Sequence, residues 1–352
     1  SQASDICKLT GATPVAPDDV EPSERSLYML YETIKHTDKP FIGSCDVAKK
    51  ARESLEIVEM VFGARYLDDH ACIGVSINPL SPLKFDSMTV DTLIEFARRR
   101  QPVYIMPCAM AGVTAPIEVF GSIVQQNTET VAGMALAQLI EPGTPTVYGP
   151  ASTMADLRTA ACVFSPPEQF LINSTCLQMA LDFYKVPTRI MAGMTDSKEV
   201  DVQAGYETMQ NMLMGLMSGG HLVEQVFGVL DAIMTISYEK FVIDTEIMSR
   251  AIRICEGVDT SDSTASISVI QEVGPGGTYL THRDTFTKAR TAWQPTVSFW
   301  GSSSKWEAQG KESILTRAHK KFKETLAGCP ETVISADLDR DLRNFLNRAR
   351  GI

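Results

Sequence analysis

No apolar run in this sequence approaches the ~20 residues that a membrane-spanning helix needs. Residues 1–20 lack the basic start and apolar core of a secretory signal. Positive charge is scarce: 32 Lys and Arg stand against 43 Asp and Glu, a net charge of −11. That balance argues against a nucleic-acid backbone or an anionic membrane surface as main partner, and it permits a cationic substrate. The cysteines, Cys7, Cys45, Cys72, Cys108, Cys162, Cys176, Cys255 and Cys329, include no CxxC pair. Scattered among apolar neighbours, they argue against a disulfide framework and read as reduced, buried thiols of a cytoplasmic protein. The histidines, His36, His70, His221, His282 and His319, are far apart and show no HExxH or HxH spacing, so no metal site is expected. The one glycine cluster, Gly274–Pro275–Gly276–Gly277, lacks the rest of a phosphate-binding motif and reads first as a tight turn. The chain begins with Ser rather than Met, so a trimmed piece of a longer protein is expected.

What the sequence does have is a core-forming composition, 44% hydrophobic, and a repeated alternation. Short apolar runs fall at 5–9, 40–44, 71–77, 102–107, 144–149, 188–193, 221–226 and 265–273. Between them lie amphipathic stretches at 22–37, 46–63, 89–99, 115–140, 167–185, 203–218 and 237–256, and a last helix pair is expected at 305–327 and 335–349. Continuously apolar strands alternating with helices mean a parallel sheet covered on both faces. Eight such units favour an α/β fold of the (β/α)8 TIM-barrel type with additional C-terminal helices over an open doubly wound sheet. The barrel is expected to occupy residues 1–300, and 301–352 a helical extension packed on it.

In a barrel the chemistry sits at the C-terminal strand ends and in the loops that follow. That rule selects Cys45 and Asp46, Asn78, Met106, Pro107 and Met110, Tyr148 and Ser152, Asp196 and Lys198, Glu224 and Gln225, and Glu272. Asp46 and Asp196 have a plain alternative as surface or helix-capping residues. Glu224 interrupts the apolar run LVEQV, so its carboxylate must meet a polar site or a partner. Glu272 precedes a glycine turn, and structural pairing is as good an account. A Schiff base at Lys198 would make a barrel lyase, but the residue lies several positions past its apolar run. The stripe Met209, Met212, Leu213 and Met217 is core filler by default. Trp293, Phe299, Trp300 and Trp306 can form an aromatic cage for a quaternary ammonium, or pack the C-terminal helices onto the barrel.

Four blocks carry a family resemblance: 106–149, 192–207 (AGMTDSKEVDVQAGYE), 237–247 (SYEKFVIDTEI) and 271–280 (QEVGPGGTYL). In order and spacing they resemble the trimethylamine methyltransferase (MttB-like) superfamily, from about residue 5 to the C-terminus. The resemblance implies a barrel that moves a methyl group from a methylated amine to Co(I) of a separate corrinoid protein, with no permanently bound cofactor and the corrinoid supplied by that partner. Full-length members carry a further N-terminal region. Archaeal members use pyrrolysine, whose equivalent falls near Gly193–Thr195; every residue here is standard. This shifts the expected substrate toward quaternary amines such as glycine betaine, proline betaine or carnitine, with trimethylamine still in the class. The chain departs from relatives at Glu224–Gln225 and Asp284, where histidines are expected, so no catalytic residue is assigned. Substrate-binding candidates are Asp196, Glu224 and Glu272 for a cation or polar group, and Gln203 and Tyr206 at the mouth. Tyr148, Trp293 and Trp300 are candidates for an aromatic wall. A homo-oligomer is also expected. The competing readings are a non-catalytic quaternary-amine binder and the Lys198 lyase.

Overall fold

The computed structural model describes residues 2–11, 16–43 and 47–350. The expected mouth residues Cys45 and Asp46 lie outside the described residues. The chain opens with α1 (Arg25–His36), β1 (Ile42–Gly43), α2 (Ala48–Phe62), α3 (Ala64–Asp69), β2 (Gly74–Ile77) and α4 (Ser87–Arg98). Next come β3 (Val103–Ile105), β4 (Met110–Ala111), α5 (Val119–Ile140), β5 (Thr146–Tyr148), β6 (Thr153–Asp156), β7 (Ala161–Val163) and α6 (Pro167–Gln178), which runs into a π-helical turn at Met179–Tyr184. The second half holds β8 (Arg189–Met191), α7 (Val202–Met217), β9 (Leu222–Glu224), β10 (Val229–Leu230), β11 (Thr235–Ile236) and α8 (Tyr238–Cys255). It closes with α9 (Ile267–Val273), α10 (Arg283–Lys288), α11 (Ser303–Ala308), α12 (Ile314–Ala327) and α13 (Ala336–Arg350).

Parallel pairing follows the chain. Thr10 bridges Phe41, β1 pairs β2, β2 pairs β3, β3 pairs β5, Tyr148 bridges Thr188, and β8 pairs β9. Within this set each segment lies beside the one before it, the sequential parallel order of an α/β barrel, while β4, β6 and β7 form a side sheet and β10 and β11 a hairpin. The segment expected as the last strand is different. Residues 267–273 form helix α9, with Ile270 N–H bonded to Ser266 O and Gly274 N–H to Ile270 O. Ile267 and Ile270 are more than half exposed there, so no neighbouring strand or core draws the run into a ladder.

The two faces of the parallel sheet differ. Val75, Ile77, Val103 and Ile105 are at most 1% exposed and pack on Leu55, Val58, Leu93 and Phe96 of the helix layer. Successive side chains of a strand point to opposite faces. The alternate positions Ser76, Tyr104 and Val147 therefore turn inward, and they are only half-buried. Gly74 makes room for this: a Cβ there would sit 2.2 Å from the Tyr104 ring. Helix starts are fixed by side chains that accept orphan N–H groups: Asp86 from Thr89, Asp201 from Ala204 and Ser237 from Lys240. Beyond residue 300, α12 packs on α8 and α13 on α1 and α2.

Among the described residues no helix is long and apolar enough to cross a membrane. The described cysteines are free, but Cys108, Cys162 and Cys255 are exposed, against the expectation that all were buried. Each sits where a loop, a short side strand or a helix end meets solvent rather than in the sheet core.

Candidate functional site

The inner face gathers a polar cluster that begins with Arg189. This arginine starts β8, is fully buried, and shares its face with Met191; Ile190, between them, meets the helix layer at Gly215 and Gly220. Met191 pairs with Glu224 on β9, so the Glu224 side chain rises from the same face. Arg189 Nε donates to Glu224 Oε2 at 2.7 Å, and the two side chains are 1% and 14% exposed. Arg189 Nη1 lies 3.5 Å from the Pro150 carbonyl, at the limit of a hydrogen bond. Glu224 Oε1 is buried with no partner. Tyr104 stands nearby on β3; burial, then the Glu224 charge, pushes its phenol up from the ordinary value. Met106, Ala151, Phe164, Met191, Met194 and Val229 form the apolar wall around this polar centre.

Above it lies a ring of loops. Asp196 is half-buried, and its carboxylate is engaged: it accepts from Phe164 N–H at 3.0 Å and Ser165 N–H at 2.9 Å, tying the end of β7 to the loop after β8. The support beneath it is Glu207, which the sequence analysis passed over. Its Oε2 accepts from Ser165 Oγ, Thr195 Oγ1 and Asp196 N–H, and its Oε1 from Gln203 Nε2 at 2.9 Å. Gln203 thus steadies Glu207, while Tyr206 is 61% exposed on the adjacent turn of α7. Gly193, at φ +98°, must be glycine, because a Cβ would meet the Val226 backbone at 2.2 Å. Cys108 and Cys162 open onto the same region. Cys108 is exposed yet crowded, and desolvation pushes its thiol up to about 11, with Cys162 adding to the rise and Arg189 opposing it. Desolvation raises Cys162 too; Thr153 opposes that rise and Asp196 adds to it.

Other expected site residues lie elsewhere. Tyr148 is not an inner-wall residue: it points into the helix layer beside Ile123, Ile172 and Cys176, and donates to Asn127 Oδ1 at 2.9 Å. Glu272 sits on α9 rather than at a strand end, two-thirds exposed and 3.1 Å from His282 Nε2. Trp293 and Trp300 do come together, with ring centroids 5.4 Å apart. The cation they enclose is the chain's own Arg250, 4.2 Å above Trp293, on the outer side of α8. Lys198 is 69% exposed and paired with Asp231 at 2.5 Å, which gives a Schiff base no support.

Arg189 is not among the expected site residues, although a charge inside the apolar run TRIMAG is the same anomaly as Glu224 inside LVEQV.

The family model of trimethylamine methyltransferase (MTTB) matches residues 1–351. The chain belongs to that family. It is 36% identical to the glycine betaine methyltransferase of Desulfitobacterium hafniense, over 98% of this chain and 72% of that protein. It is 29% identical to the proline betaine:corrinoid methyltransferase of Eubacterium limosum, again over 98% and 72%. The trimethylamine methyltransferase MttB of Methanosarcina barkeri is 31% identical over 77% of this chain and 54% of its own. A dihydropteroate synthase of Coxiella burnetii superposes over 71% of this chain with a TM-score of 0.41 at 11% identity. In this MTTB-family chain the inner-face Arg189–Glu224 pair joins the first residue of β8 to the last of β9.

Proposed function

We propose that this MTTB-family chain takes a methyl group from a quaternary or tertiary methylamine and passes it to the corrinoid of a separate protein. Family membership over residues 1–351 and the names of the relatives support the reaction class. The observation that carries the reading is the half-open inner face, where Arg189, Glu224 and Tyr104 stand among methionines.

A corrinoid supplies a nucleophilic cobalt. The rim residues Leu80, Leu83, Val113, Ile117, Leu157 and Met234 are exposed and apolar, which fits the docking of another protein that brings such a group. This chain's own task is to hold, orient and desolvate the amine. A quaternary ammonium departs as a neutral amine, so the step asks for no proton from a side chain. In this reading Glu224 Oε1 faces the cation and the Tyr104 ring offers it a π surface. Asp196 and Gln203, through Glu207, set the loop that closes above. Tyr206 belongs to the docking rim. Residues 1–300 serve as the catalytic body and 301–352 as its packed extension.

The test mixes the protein with a reduced corrinoid protein and a panel of glycine betaine, proline betaine, carnitine and trimethylamine. Methylation is followed through the corrinoid absorbance. Turnover with at least one donor is expected. Binding of a donor without any transfer sinks the enzyme reading in favour of a quaternary-amine binding protein.

A further inference from the structure

We infer that the outer face of α5 and α6 is a two-fold contact between copies of this chain. The inference is independent of the methyl donor and of the inner face. Its first support is the polarity of α5, which is inverted. A helix on the outside of a barrel turns its apolar stripe inward and its polar residues to water. On the inward side of α5 only Ile123 is large and apolar; Ser122, Gln126, Glu129, Thr130, Gly133 and Ala137 make up the rest. The side turned to solvent carries Phe120, Val124, Thr128, Ala132, Ala135 and Leu139. These positions recur at steps of three and four residues and so line one face of the helix. Phe120 is 77% exposed and Leu139 83%. Folding of a single chain gives no reason to place such side chains in water.

The second support is charge. The one ionised residue of α5, Glu129, is buried and accepts from Ser81 Oγ and Leu83 N–H. Helix α6 packs on α5 through Ile123, Ile172 and Cys176, and Asn127 donates to the Tyr184 hydroxyl at 3.0 Å in the turn that follows. Between Glu168 at the start of α6 and Asp182 in that turn no residue is charged. Leu171 stands half exposed there, and Phe183 is 79% exposed. Helix α2, by contrast, carries six charged residues in fifteen. Copies of a chain with net charge −11 repel each other, so they meet most readily where charge is missing. A two-fold contact also sets one patch against the same patch, which excludes a charge excess of either sign.

The third support is size and place. Phe120, Val124, Leu139, Leu171 and Phe183 leave roughly 700 Å² in water at about 200 Å² for a large side chain, close to the ~800 Å² that each partner of a standard interface covers. Helix α5 and the turn after α6 end just before β5 and β8 begin, so Leu139 and Phe183 lie at the end of the barrel away from the mouth. A corrinoid protein seated on this wall would not bring its group over the inner face. A second copy has no such requirement.

Gel filtration with light scattering, on the full chain at micromolar concentration, tests this. The native mass is expected at twice the 38.6 kDa of one chain or an even multiple of that. Val124→Glu/Leu171→Glu sets like charges across the contact and should bring the mass to half the native value or less. Both positions are open to water in the single chain, and a native far-UV circular dichroism spectrum checks that the variant is folded. Phe183→Asp, outside the regular α-helices, serves should the double variant unfold, and it should weaken association about tenfold or more. Val258→Glu, at an 84% exposed apolar position after α8, should leave the native mass unchanged.

A monomeric or odd-numbered native protein, a mass that the α5 and α6 variants leave unchanged, or equal dissociation by Val258→Glu each overturns the inference. Variants that keep the native mass but lose association with a corrinoid protein would give the face to that partner and overturn it as well.

Discussion

Two buried ion pairs stand on opposite sides of the same wall, and they are finished to different degrees. Lys240 and Asp244, one turn apart on α8, are each 1% exposed. All three ammonium donors are served, by Asp244 Oδ2 at 2.6 Å, Thr208 Oγ1 at 3.0 Å and Gly193 O at 3.4 Å. Gly228 N–H adds a second bond to Asp244 Oδ2. This pair locks the loop after β8 against α8. Each carboxylate leaves one oxygen without a partner, Asp244 Oδ1 and Glu224 Oε1. The pairs differ in the cation and in exposure: Arg189 makes one short bond, to Glu224, and Glu224 is 14% exposed where Asp244 is 1%. The first pair is sealed between α8 and the loop after β8, and the second is the more accessible of the two. Contact distances of 2.6 and 2.7 Å therefore do not tell the pairs apart; the partners of the cation and the exposure of the carboxylate do.

The comparison breaks most visibly at Lys240. Lys240→Met leaves Asp244 as an uncompensated buried charge and should cost about 3–5 kcal/mol in urea unfolding, with Lys240→Met/Asp244→Leu recovering most of it. Arg189→Met should cost less, about 1–3 kcal/mol, because the Glu224 side chain is 14% exposed where that of Asp244 is 1%. Equal losses in the two single variants would mean that the inner pair is as structural as the outer one.

A third carboxylate sharpens the contrast by pH. Burial alone would raise Glu246, but bonds from Ser298, Val297 and Thr296 outweigh it and bring the carboxyl down to about 2. A depressed acid stabilises the folded state above its unfolded value of about 4.3, and this contribution fades as pH falls toward 2. Amide exchange of residues 296–298 should accelerate across that window, while the amides of β3 stay protected.

The mouth thiols give a smaller effect. At neutral pH Cys108 should react with iodoacetamide much more slowly than exposed Cys255, and its rate should climb about tenfold per pH unit toward 11. Glycine betaine should slow it further. Least of all, Tyr148→Phe loses the bond to Asn127 and about 1 kcal/mol of stability, with no change in the affinity for a methyl donor.

Period and punctuation made most of this architecture legible. Helices over 237–256 and 203–218 appear within a residue or two of their expected limits, because Ser237 and Asp201 are caps that a sequence displays openly. The run 265–273 was misread because alternating small and branched residues satisfy a strand pattern, while Ile267 and Ile270 also satisfy a helical one. Which pattern wins depends on a neighbour that the sequence does not name. The site was legible where chemistry contradicts context, as at Glu224, and opaque where geometry decides. Tyr148 ends a strand like an inner-wall residue, yet its place in the alternation sends it to the helix layer. Asp196 reaches the mouth, but backbone N–H groups consume its oxygens.

The tryptophans have an optical consequence. Trp293, Trp300 and Trp306 all lie in the last 60 residues of the chain, none on the parallel sheet. Trp293 is held by Ser249 and covered by Arg250, and Trp306 donates to Glu312 O within its own segment. Intrinsic emission from this protein is therefore a report on how the C-terminal segment seats against α8. A ligand arriving at the inner face will stay dark in such a titration unless that segment shifts with it.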